Sequence, residues 1–373
     1  MIRVAFVRGK YLNNSEGQNY RFNRKKIKLT GISSKTPLDT KVPFPLIKLF
    51  SPADYQGHFL KIIANRTLGD MHMLFGLDRY QSKFDIFHSA DLHYYYSYQL
   101  AKLRQKNKIP HLLLTSWETI PFNNESVERK KRIKYFTMSQ ADSILCHTER
   151  AKQCLIKEGA DLKKIRVIKL GVDLTRFKPK RKKGNELTVL FVGRLVEEKG
   201  IMDSYEAFKL VKKTFPEKIL TFRIIGAGPL KNKLKMKIRN QGLDRYVLIE
   251  QEPYNSMPSV YQQANIFCVP SKRTKTWEEQ YGMVFIEAMA SAIPILTYDT
   301  GAIKENVEKT GVFVQEGNIG DLSDKLQELI SNEALRIKLG TIGRERAVRS
   351  FDCKKTAKKL EKLYAQLATS SQL

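Results

Sequence analysis

Acidic residues, cysteine and long apolar runs are scarce in this sequence, and each shortage narrows what the protein can be. The 373 residues include 38 Asp and Glu against 66 Lys and Arg. The four cysteines match no zinc or redox spacing, and Cys146 and Cys268 lie in apolar, strand-like runs. We therefore expect buried free thiols in a reducing cytoplasm. No run of about 18 apolar residues occurs, so we expect no transmembrane helix.

The excess of positive charge predicts an anionic partner or surface, because the formal net charge is +28. Nucleic acid, acidic lipid and a phosphorylated substrate all qualify, and a solvated, lysine-rich surface remains the alternative. Lysine dominates and no RNP-like aromatic pattern is present, which weakens the nucleic-acid option. Residues 1–7 lack the longer apolar stretch of a signal peptide and predict a first strand instead.

Length and composition indicate two folded domains. A chain of 373 residues with 42% hydrophobic and 10% aromatic residues can build two cores. Apolar runs typical of strands alternate with helical patterns in both halves, and a polar segment with Lys, Pro and Gly at 178–185 separates the halves. The alternation predicts an α/β protein of two Rossmann-like, doubly wound domains that face each other across a ligand-binding cleft.

The strand predictions can be stated residue by residue. In the first half they are 2–8, 26–32, 85–88, 110–116, 143–147 and 165–170. In the second half they are 187–193, 220–225, 246–250, 266–269, 294–297 and 312–314. The proline-punctuated segment after residue 32 carries no strand in this prediction.

The stretch 277–290 is the most informative part of the chain, because it holds Glu279 and Glu287 with Gly282 between them. From Gly282 onward one apolar face recurs at helical spacing, and Glu287 is expected to lie off that face. A turn at Gly282 places Glu279 on the preceding loop. Two carboxylates around a helix N-terminus suit a polyhydroxylated, anionic ligand. Glutamates on a solvated helix face remain the alternative.

Two further strand-to-helix turns in the second half could hold phosphate. The first is Gly193-Arg-Leu-Val-Glu-Glu-Lys-Gly200, in which Arg194 and Lys199 could bind a diphosphate or simply be solvated. The second is Gly226-Ala-Gly-Pro-Leu230, which is either a ligand loop or a tight turn. Because Lys231 occupies the position of the last glycine of the dinucleotide fingerprint, a dinucleotide site is disfavoured. The segment Gln251–Tyr254 could line a base pocket.

The first half offers the acid–base and acceptor-orienting groups. All six histidines lie between His58 and His147, and a core or surface position is the common outcome for each. His88 and His93 flank the end of one predicted strand, and Glu118 ends the next. The polar loop 9–19, with Gln18, follows the first strand, where ligands bind in open α/β sheets. No Asp-x-Asp motif, His/Cys cluster or Ser-His-Asp arrangement is visible, so we expect neither a metal nor an activated serine.

Several motifs occur in one order along the chain and together resemble one family. They are Ala141-Asp-Ser-Ile-Leu-Cys-His-Thr-Glu149, Ile165–Phe177, Val192–Gly200, Ile225-Gly-Ala-Gly-Pro229, and Glu279 to Ala290 followed by Gly301. This set resembles the retaining glycosyltransferases of family 4 (glycosyl transferases group 1), which have the GT-B fold. The resemblance is strong over residues 141–350 and looser before them.

The resemblance implies a nucleotide-diphosphate sugar donor in a second domain, 178–351, and an acceptor in a first domain, 1–177. It implies retention of anomeric configuration, no metal, and a tail helix at 352–373 that packs back on the first domain. Carried over by position, Arg194 and Lys199 would bind the diphosphate, Glu287 the ribose and Glu279 the hydroxyls of the transferred sugar. The remaining donor-site residues implied in this way are Gly193, Gly226, Tyr281, Gly282 and Met283.

One position departs from the family pattern. Many members carry a histidine near the reacting carbon, where this chain has Trp117-Glu118. Glu118 is the substitute hydrogen-bond acceptor in our prediction, which makes the catalytic set Arg194, Lys199, Glu279 and Glu118. Together with Glu118, His93 and Gln18 complete the acceptor side.

The leading hypothesis is a cytoplasmic hexosyltransferase that acts on a lipid-linked, polysaccharide or other glycan acceptor. Basic clusters at 21–28 and 129–134 add a second hypothesis, peripheral docking to the anionic inner face of the cell membrane. A sugar-nucleotide epimerase of the same fold is one alternative, and a basic nucleic-acid-binding protein is a weaker one.

Overall fold

The computed structural model describes residues 1–55, 71–180 and 186–369. The chain forms two compact units, one of Met1–Leu170 with Cys353–Leu373 and one of Gly171–Asp352, here called unit 1 and unit 2. Residues 171–177, which we had assigned to the first domain, lie in unit 2. His58, the second part of the predicted linker (181–185) and the last residues of the tail (370–373) lie outside the described residues.

Unit 1 is built on a parallel sheet of seven strands, ordered β3-β2-β1-β4-β5-β6-β7. The strands are β1 Ile2–Gly9, β2 Ile27–Ser34, β3 Leu46–Leu49, β4 Ile86–Ala90, β5 Leu112–Ser116, β6 Ser143–Cys146 and β7 Ile165–Val167. Its helices are α1 Asn14–Gly17, α2 Tyr95–Gln105, α3 Glu128–Gln140, α4 Glu149–Lys157 and, from the end of the chain, α12 Cys353–Thr369.

Strand β3 was missed by the sequence prediction. It has only four residues, is the edge strand beside β2, and follows Pro43 and Pro45. Proline lacks the backbone N–H that a central strand needs, so a proline-rich segment argues against a strand except at a sheet edge. The segment fits at this edge because Pro45 needs only its carbonyl, which accepts a hydrogen bond from the Gly31 amide at 2.8 Å.

Both faces of the unit 1 sheet are covered by apolar residues. Along β1, Ala5 and Val7 belong to one buried cluster, whereas Val4 and Phe6 belong to another. This alternation follows from the two-residue period of a strand. The second cluster includes Leu360, Leu363, Tyr364 and Leu367, so helix α12 packs on unit 1.

Unit 2 repeats the architecture with six parallel strands, ordered β10-β9-β8-β11-β12-β13. The strands are β8 Leu187–Val192, β9 Leu220–Ile225, β10 Val247–Glu250, β11 Ile266–Cys268, β12 Ile295–Tyr298 and β13 Gly311–Val314. The helices are α5 Ile201–Thr214, α6 Lys231–Asn240, α7 Met257–Gln263, α8 Met283–Ala290, α9 Ile303–Val307, α10 Ile319–Ser331 and α11 Glu333–Ser350.

Each sheet therefore reverses its strand order at one point, between β1 and β4 in unit 1 and between β8 and β11 in unit 2. The predicted fold class, two α/β units with doubly wound parallel sheets, is confirmed. In such sheets ligands bind beyond the carboxyl ends of the strands at the reversal. The loops that follow β8 and β11 are thus the first place to look for a site in unit 2.

Two smaller expectations can be compared with the structure. All four cysteines are buried and free, as predicted for Cys146 and Cys268. Within the described ranges, no helix combines the length and hydropathy that a membrane-spanning segment requires.

Candidate functional site

The two strand-to-helix turns of unit 2 pack directly against each other. The Leu195 amide donates to the Ala227 carbonyl at 2.8 Å. A Cβ atom on Gly226 would lie 1.9 Å from the Gly193 carbonyl oxygen, and one on Gly228 would lie 2.4 Å from that of Leu195. The glycines of 226–228 are therefore required by the contact between the loops, whether or not a ligand also approaches them.

Lys199 and Glu279, which are distant in sequence, form an ion pair at the reversal point. The Lys199 Nζ atom lies 2.6 Å from Glu279 Oε2, and the Ser271 hydroxyl donates to the same oxygen at 3.1 Å. The Lys199 ammonium also lies 4.9 Å from the centre of the Trp277 ring. Glu279 is buried and Lys199 is largely so. The pair thus offers one cation and one carboxylate at fixed positions.

Arg194 occupies a different environment. Its side chain is 61% exposed, and its guanidinium lies 3.5 Å from Glu198 on the same loop. The predicted pairing of Arg194 with Lys199 as a phosphate clamp therefore has one fixed member and one solvated member. Arg194 remains the more adaptable of the two cations, because a long exposed side chain can reorient at low energetic cost.

The loop between Glu279 and helix α8 is fixed by close backbone contacts. Gly282 adopts φ 75°, a left-handed conformation, immediately before α8. The Ala302 amide donates to the Glu279 carbonyl at 2.8 Å, and a Cβ atom on Gly301 would lie 2.3 Å from that carbonyl oxygen. The Tyr281 carbonyl accepts a hydrogen bond from the side chain of Asn306. The turn at Gly282 predicted from the sequence is therefore present, and the backbone amides at the start of α8 point away from the helix.

Glu287 lies in the interior of unit 2 rather than on a solvated face. It is 3% exposed, and its carboxylate accepts hydrogen bonds from the hydroxyls of Tyr254 at 3.0 Å and Tyr261 at 2.8 Å. Burial raises the pKa of the Glu287 carboxyl to about 7. The expectation that only one face of α8 would be buried was wrong, because residues 285–290 are all buried.

Tyr254, which we expected to line a base pocket, contacts Glu287 through its hydroxyl. Its ring also lies 5.7 Å from the Arg176 guanidinium. Glu287, Tyr254 and Arg176 thus gather beside helix α8 in unit 2. This group combines a carboxylate that accepts hydrogen bonds from hydroxyls, an aromatic ring and a cation. Such groups are suited to binding a nucleoside.

In unit 1, Glu118 is engaged by its own loop. One carboxylate oxygen accepts from the amides of Thr119 at 2.9 Å and Ile120 at 3.0 Å. The other accepts from the side-chain amides of Asn123 at 2.8 Å and Asn124 at 3.2 Å. Burial raises the pKa of the Glu118 carboxyl above its ordinary value. Four donors occupy about all the lone-pair positions of a carboxylate, so Glu118 has little capacity for a further ligand.

The other histidine and glutamine candidates of unit 1 differ from Glu118 in their burial and in their contacts. Gln18 is buried and donates from its side chain to the Ser15 carbonyl at 2.8 Å, within its own loop. His93 is partly exposed, with its ring 4.5 Å from that of Tyr94. His88 is a core histidine, bonded to Thr115 at 2.7 Å and to the Tyr364 hydroxyl at 2.7 Å. Burial lowers the pKa of His88, so it is a neutral structural group.

Two family models match this chain in succession. The model described as Glycosyltransferase Family 4 matches residues 53–176, and the one described as Glycosyl transferases group 1 matches residues 173–346. Together they cover residues 53–346, which include part of unit 1 and every residue of the site in unit 2. The chain belongs to glycosyltransferase family 4.

Relatives and solved structures agree with this assignment. An uncharacterized glycosyltransferase of Methanocaldococcus jannaschii is 28% identical over 270 residues, 72% of each chain. A D-inositol 3-phosphate glycosyltransferase of Corynebacterium jeikeium is 28% identical over 314 residues, 76% of this chain and 73% of that one. The capsular polysaccharide biosynthesis glycosyltransferase CapM of Staphylococcus aureus is 32% identical over 184 residues, 47% of this chain and 44% of that one.

Among solved structures, Anabaena HepE in complex with UDP and glucose superimposes with a TM-score of 0.77 at 13% identity, covering 98% of this glycosyltransferase and 100% of that chain. Sucrose-phosphate synthase of Thermosynechococcus elongatus gives a TM-score of 0.75 at 18% identity, covering 99% and 100%. These similarities establish the GT-B fold over the whole enzyme.

Several residues of the candidate site were not predicted from the sequence. Ser271 follows β11 and bonds Glu279, and Tyr261 bonds Glu287 from helix α7. Asn306 donates from its side chain to the Tyr281 carbonyl at 2.7 Å. In unit 1, Asp91 follows β4 directly and accepts from the amides of Leu92 at 2.7 Å and Trp117 at 3.3 Å. Only the positions of Ser271 and Asp91, just beyond the ends of strands, carried a signal that could have found them.

Proposed function

We propose that this glycosyltransferase moves a sugar from a nucleotide-diphosphate sugar to an acceptor hydroxyl with retention of anomeric configuration. The observation that carries the proposal is the Lys199–Glu279 pair, which lies just before the N-terminus of helix α8 in unit 2. A cation and a helix N-terminus suit a diphosphate, and a carboxylate suits sugar hydroxyls. The UDP and glucose bound by Anabaena HepE agree with a donor of this class.

The roles of the donor-site residues follow from their positions. Lys199 and the exposed Arg194 would neutralise the diphosphate, and the amides at Tyr281–Met283 would meet the sugar and phosphate. Glu279 would orient the hydroxyls of the transferred sugar, because its carboxylate is held by Lys199 and Ser271. Glu287, between its two tyrosines, would bind the ribose. Gly193 and Gly226 contribute by keeping the two loops in contact.

The chemistry requires stabilisation of a leaving diphosphate more than proton transfer by the protein. Two cations near the departing phosphate would lower the barrier as negative charge develops on it. The acceptor hydroxyl would attack from the face that the phosphate leaves, so that the phosphate itself can take the proton. Positioning and electrostatics supply the rate enhancement, and no metal enters this scheme. The match to two glycosyltransferase family models favours sugar transfer over the epimerase alternative.

Unit 1 would hold the acceptor at the carboxyl ends of β4 and β5. His93 and Gln18 stay on the acceptor side of this proposal, but Asp91 takes the role first given to Glu118. The carboxylate of Glu118 already accepts four hydrogen bonds. Asp91 accepts two, keeps about two lone-pair positions for an acceptor hydroxyl, and burial raises its pKa to about 6.

The acceptor class is a glycan or a lipid-linked sugar at the cytoplasmic face of the membrane. The Staphylococcus aureus relative is a glycosyltransferase of capsular polysaccharide biosynthesis. The chain carries a net charge of +28, which favours an anionic membrane surface. The basic cluster at 21–28 lies in unit 1, the half to which we assign the acceptor.

A thermal-shift panel of sugar nucleotides tests the donor proposal. Ligand at a hundred times its Kd stabilises the protein by about 2.7 kcal/mol. We expect at least one nucleotide-diphosphate sugar, such as UDP-glucose, to raise the Tm, and Glu287→Ala and Lys199→Ala to abolish most of that rise. A panel in which no sugar nucleotide shifts the wild type, or in which both variants keep the full shift, would refute the assignment.

A further inference from the structure

The basic cluster at 21–28 borders a cavity in unit 1. The cavity has a volume of about 460 Å³. Its lining includes Tyr20, Phe22 and Phe44 together with Arg21, Arg24 and Lys28. Ile27, Lys28 and Leu29 begin β2, and Pro43–Pro45 precede β3, so the cavity lies at the amino ends of these strands. The proposed acceptor site lies at the opposite, carboxyl ends.

The walls of this cavity are apolar and firmly packed. The Phe22 ring lies 6.1 Å from that of Tyr20 and 5.6 Å from that of Tyr364 on helix α12. The Phe44 ring packs edge-on against Phe6 at 5.7 Å. Aromatic and aliphatic walls of this kind, in a cavity of several hundred Å³, are typical of sites for apolar ligand groups.

The rim of the cavity is cationic and solvated. Arg24 and Lys28 are exposed, and within the described part of the chain neither side chain has a hydrogen-bond or ion-pair partner. A second cavity of about 300 Å³ adjoins the first at Ile27 and adds Lys26, Lys358 and Lys362. The loop is tied to helix α12 because the Asn23 amide donates to Glu361 at 3.0 Å. One face of unit 1 therefore combines an apolar cavity with a cluster of cations.

We propose that this face is a docking site for an anionic lipid, with its phosphate against Arg24 and Lys28 and its hydrocarbon chain in the aromatic cavity. The inference rests on the proposed membrane-side function and names the surface that meets the membrane. Charge complementarity selects an anionic headgroup, and the apolar walls select a ligand with a chain over free phosphate. The cations and the apolar cavity would contact different parts of the same lipid, so both contribute to its selection.

The first test titrates the purified enzyme with butyl, hexyl and octyl phosphate, all below their micelle concentrations, and with inorganic phosphate. Calorimetry reads the affinity. Because each buried methylene contributes a nearly constant free energy, affinity should rise about fourfold per methylene that enters the cavity. Inorganic phosphate should bind more weakly than butyl phosphate. Equal affinity along the series would show that only the surface charge is used and would overturn the proposal.

The second test uses variants and flotation with vesicles of phosphatidylcholine containing phosphatidylglycerol. Arg24→Glu with Lys28→Glu should weaken vesicle binding by at least about 25-fold, since each lost cation accounts for about fivefold. The matched control, Arg129→Glu with Lys131→Glu on helix α3, reverses equal charge on another surface of unit 1 and should retain binding to within a few-fold. Equal loss in both variants, or none in the first, would overturn the site.

A donor measurement on the same samples separates this proposal from the proposed function. The Arg24→Glu and Lys28→Glu protein should keep the wild-type Tm rise with UDP-glucose, because the altered residues lie in unit 1 at the amino ends of the strands. A wild type that floats with anionic vesicles but does not respond to any sugar nucleotide would refute the donor assignment and leave the lipid site standing. A wild type that responds to UDP-glucose but does not float would do the reverse.

Discussion

The buried carboxyl of Glu287 should make the stability of unit 2 depend on pH in a direction opposite to that of most carboxylates. The group is 3% exposed, and its neighbours are the hydroxyls of Tyr254 and Tyr261 rather than a directly paired cation. Burial without a paired charge favours the protonated form. Glu287→Gln keeps the shape and hydrogen-bonding capacity of the side chain but cannot ionise, so it isolates the contribution of the charge.

The sign and size follow from the two pKa values. The carboxyl has a pKa of about 7 in the folded enzyme and an ordinary value of 4.5. Between these values the folded state holds more protons than the unfolded state, so stability falls as the pH rises. From pH 5 to pH 8 the wild type should lose about 2–3 kcal/mol that the variant does not lose. For a domain of this size that loss corresponds to about 5–10 °C in Tm.

The assay compares the Tm of wild type and Glu287→Gln at several pH values from 5 to 8. The Tm of the variant relative to that of the wild type should rise steadily as the pH rises. Glu206→Gln provides the control: burial raises the pKa of Glu206, but hydrogen bonds from Lys209 and Lys237 outweigh burial and lower it. The stabilising contribution of Glu206 is lost only as the pH falls below the ordinary pKa of 4.5, so its Tm difference from wild type should not change between pH 5 and pH 8. A Tm difference for Glu287→Gln that stays constant across this range would refute the argument that the buried carboxyl is unpaired.

Four further substitutions test other parts of the site. Asp91→Asn should slow transfer by about 10- to 100-fold, the value of a hydrogen bond to a charged group, with the UDP-glucose Tm rise unchanged, whereas Glu118→Gln should mainly lower the Tm. Asn306→Ala leaves the buried Tyr281 carbonyl without its donor, so unfolding experiments should show a loss of about 1–3 kcal/mol and kinetics a raised donor KM. Gly301 has φ 56°, and an added Cβ atom would lie 2.3 Å from the Glu279 carbonyl oxygen. Gly301→Ala should therefore lower the free energy of unfolding by at least about 1–2 kcal/mol and reduce donor affinity. Wild-type values for any of these variants would contradict the contact assigned to that residue.

Regular elements of the fold were predictable because apolar runs and helical patterns alternate along most of the chain. The strand 220–225 was predicted with the bounds that the structure shows. Strand β3, at Leu46–Leu49, was not predictable, because its stability comes from pairing with β2 and not from its own sequence. A local sequence pattern does not predict a strand whose stability comes from pairing with a neighbouring strand.

The sequence could nominate the residues of the candidate donor site, but it could not predict the contacts between them. Motifs identified Lys199 and Glu279 separately, yet only the adjacency of β8 and β11 brings their side chains to 2.6 Å. Periodicity gave helix α8 one buried face, whereas Tyr254 and Tyr261 cover the side that carries Glu287. A helical pattern shows which residues are apolar, but it does not predict that a carboxylate is buried beneath two tyrosine hydroxyls.

The ion pair between Lys199 and Glu279 also constrains how the proposed donor would bind. Glu279 Oε2 already accepts from Lys199 and Ser271, so a sugar hydroxyl must use the other carboxylate oxygen or displace one of these donors. If Lys199 turned fully to the diphosphate, Glu279 would be left buried with a single neutral donor, which costs free energy. The arrangement that avoids this cost keeps Lys199 in contact with both groups. Lys199 would then couple the diphosphate to the sugar, and the exposed Arg194 would supply the charge that adapts to the nucleotide.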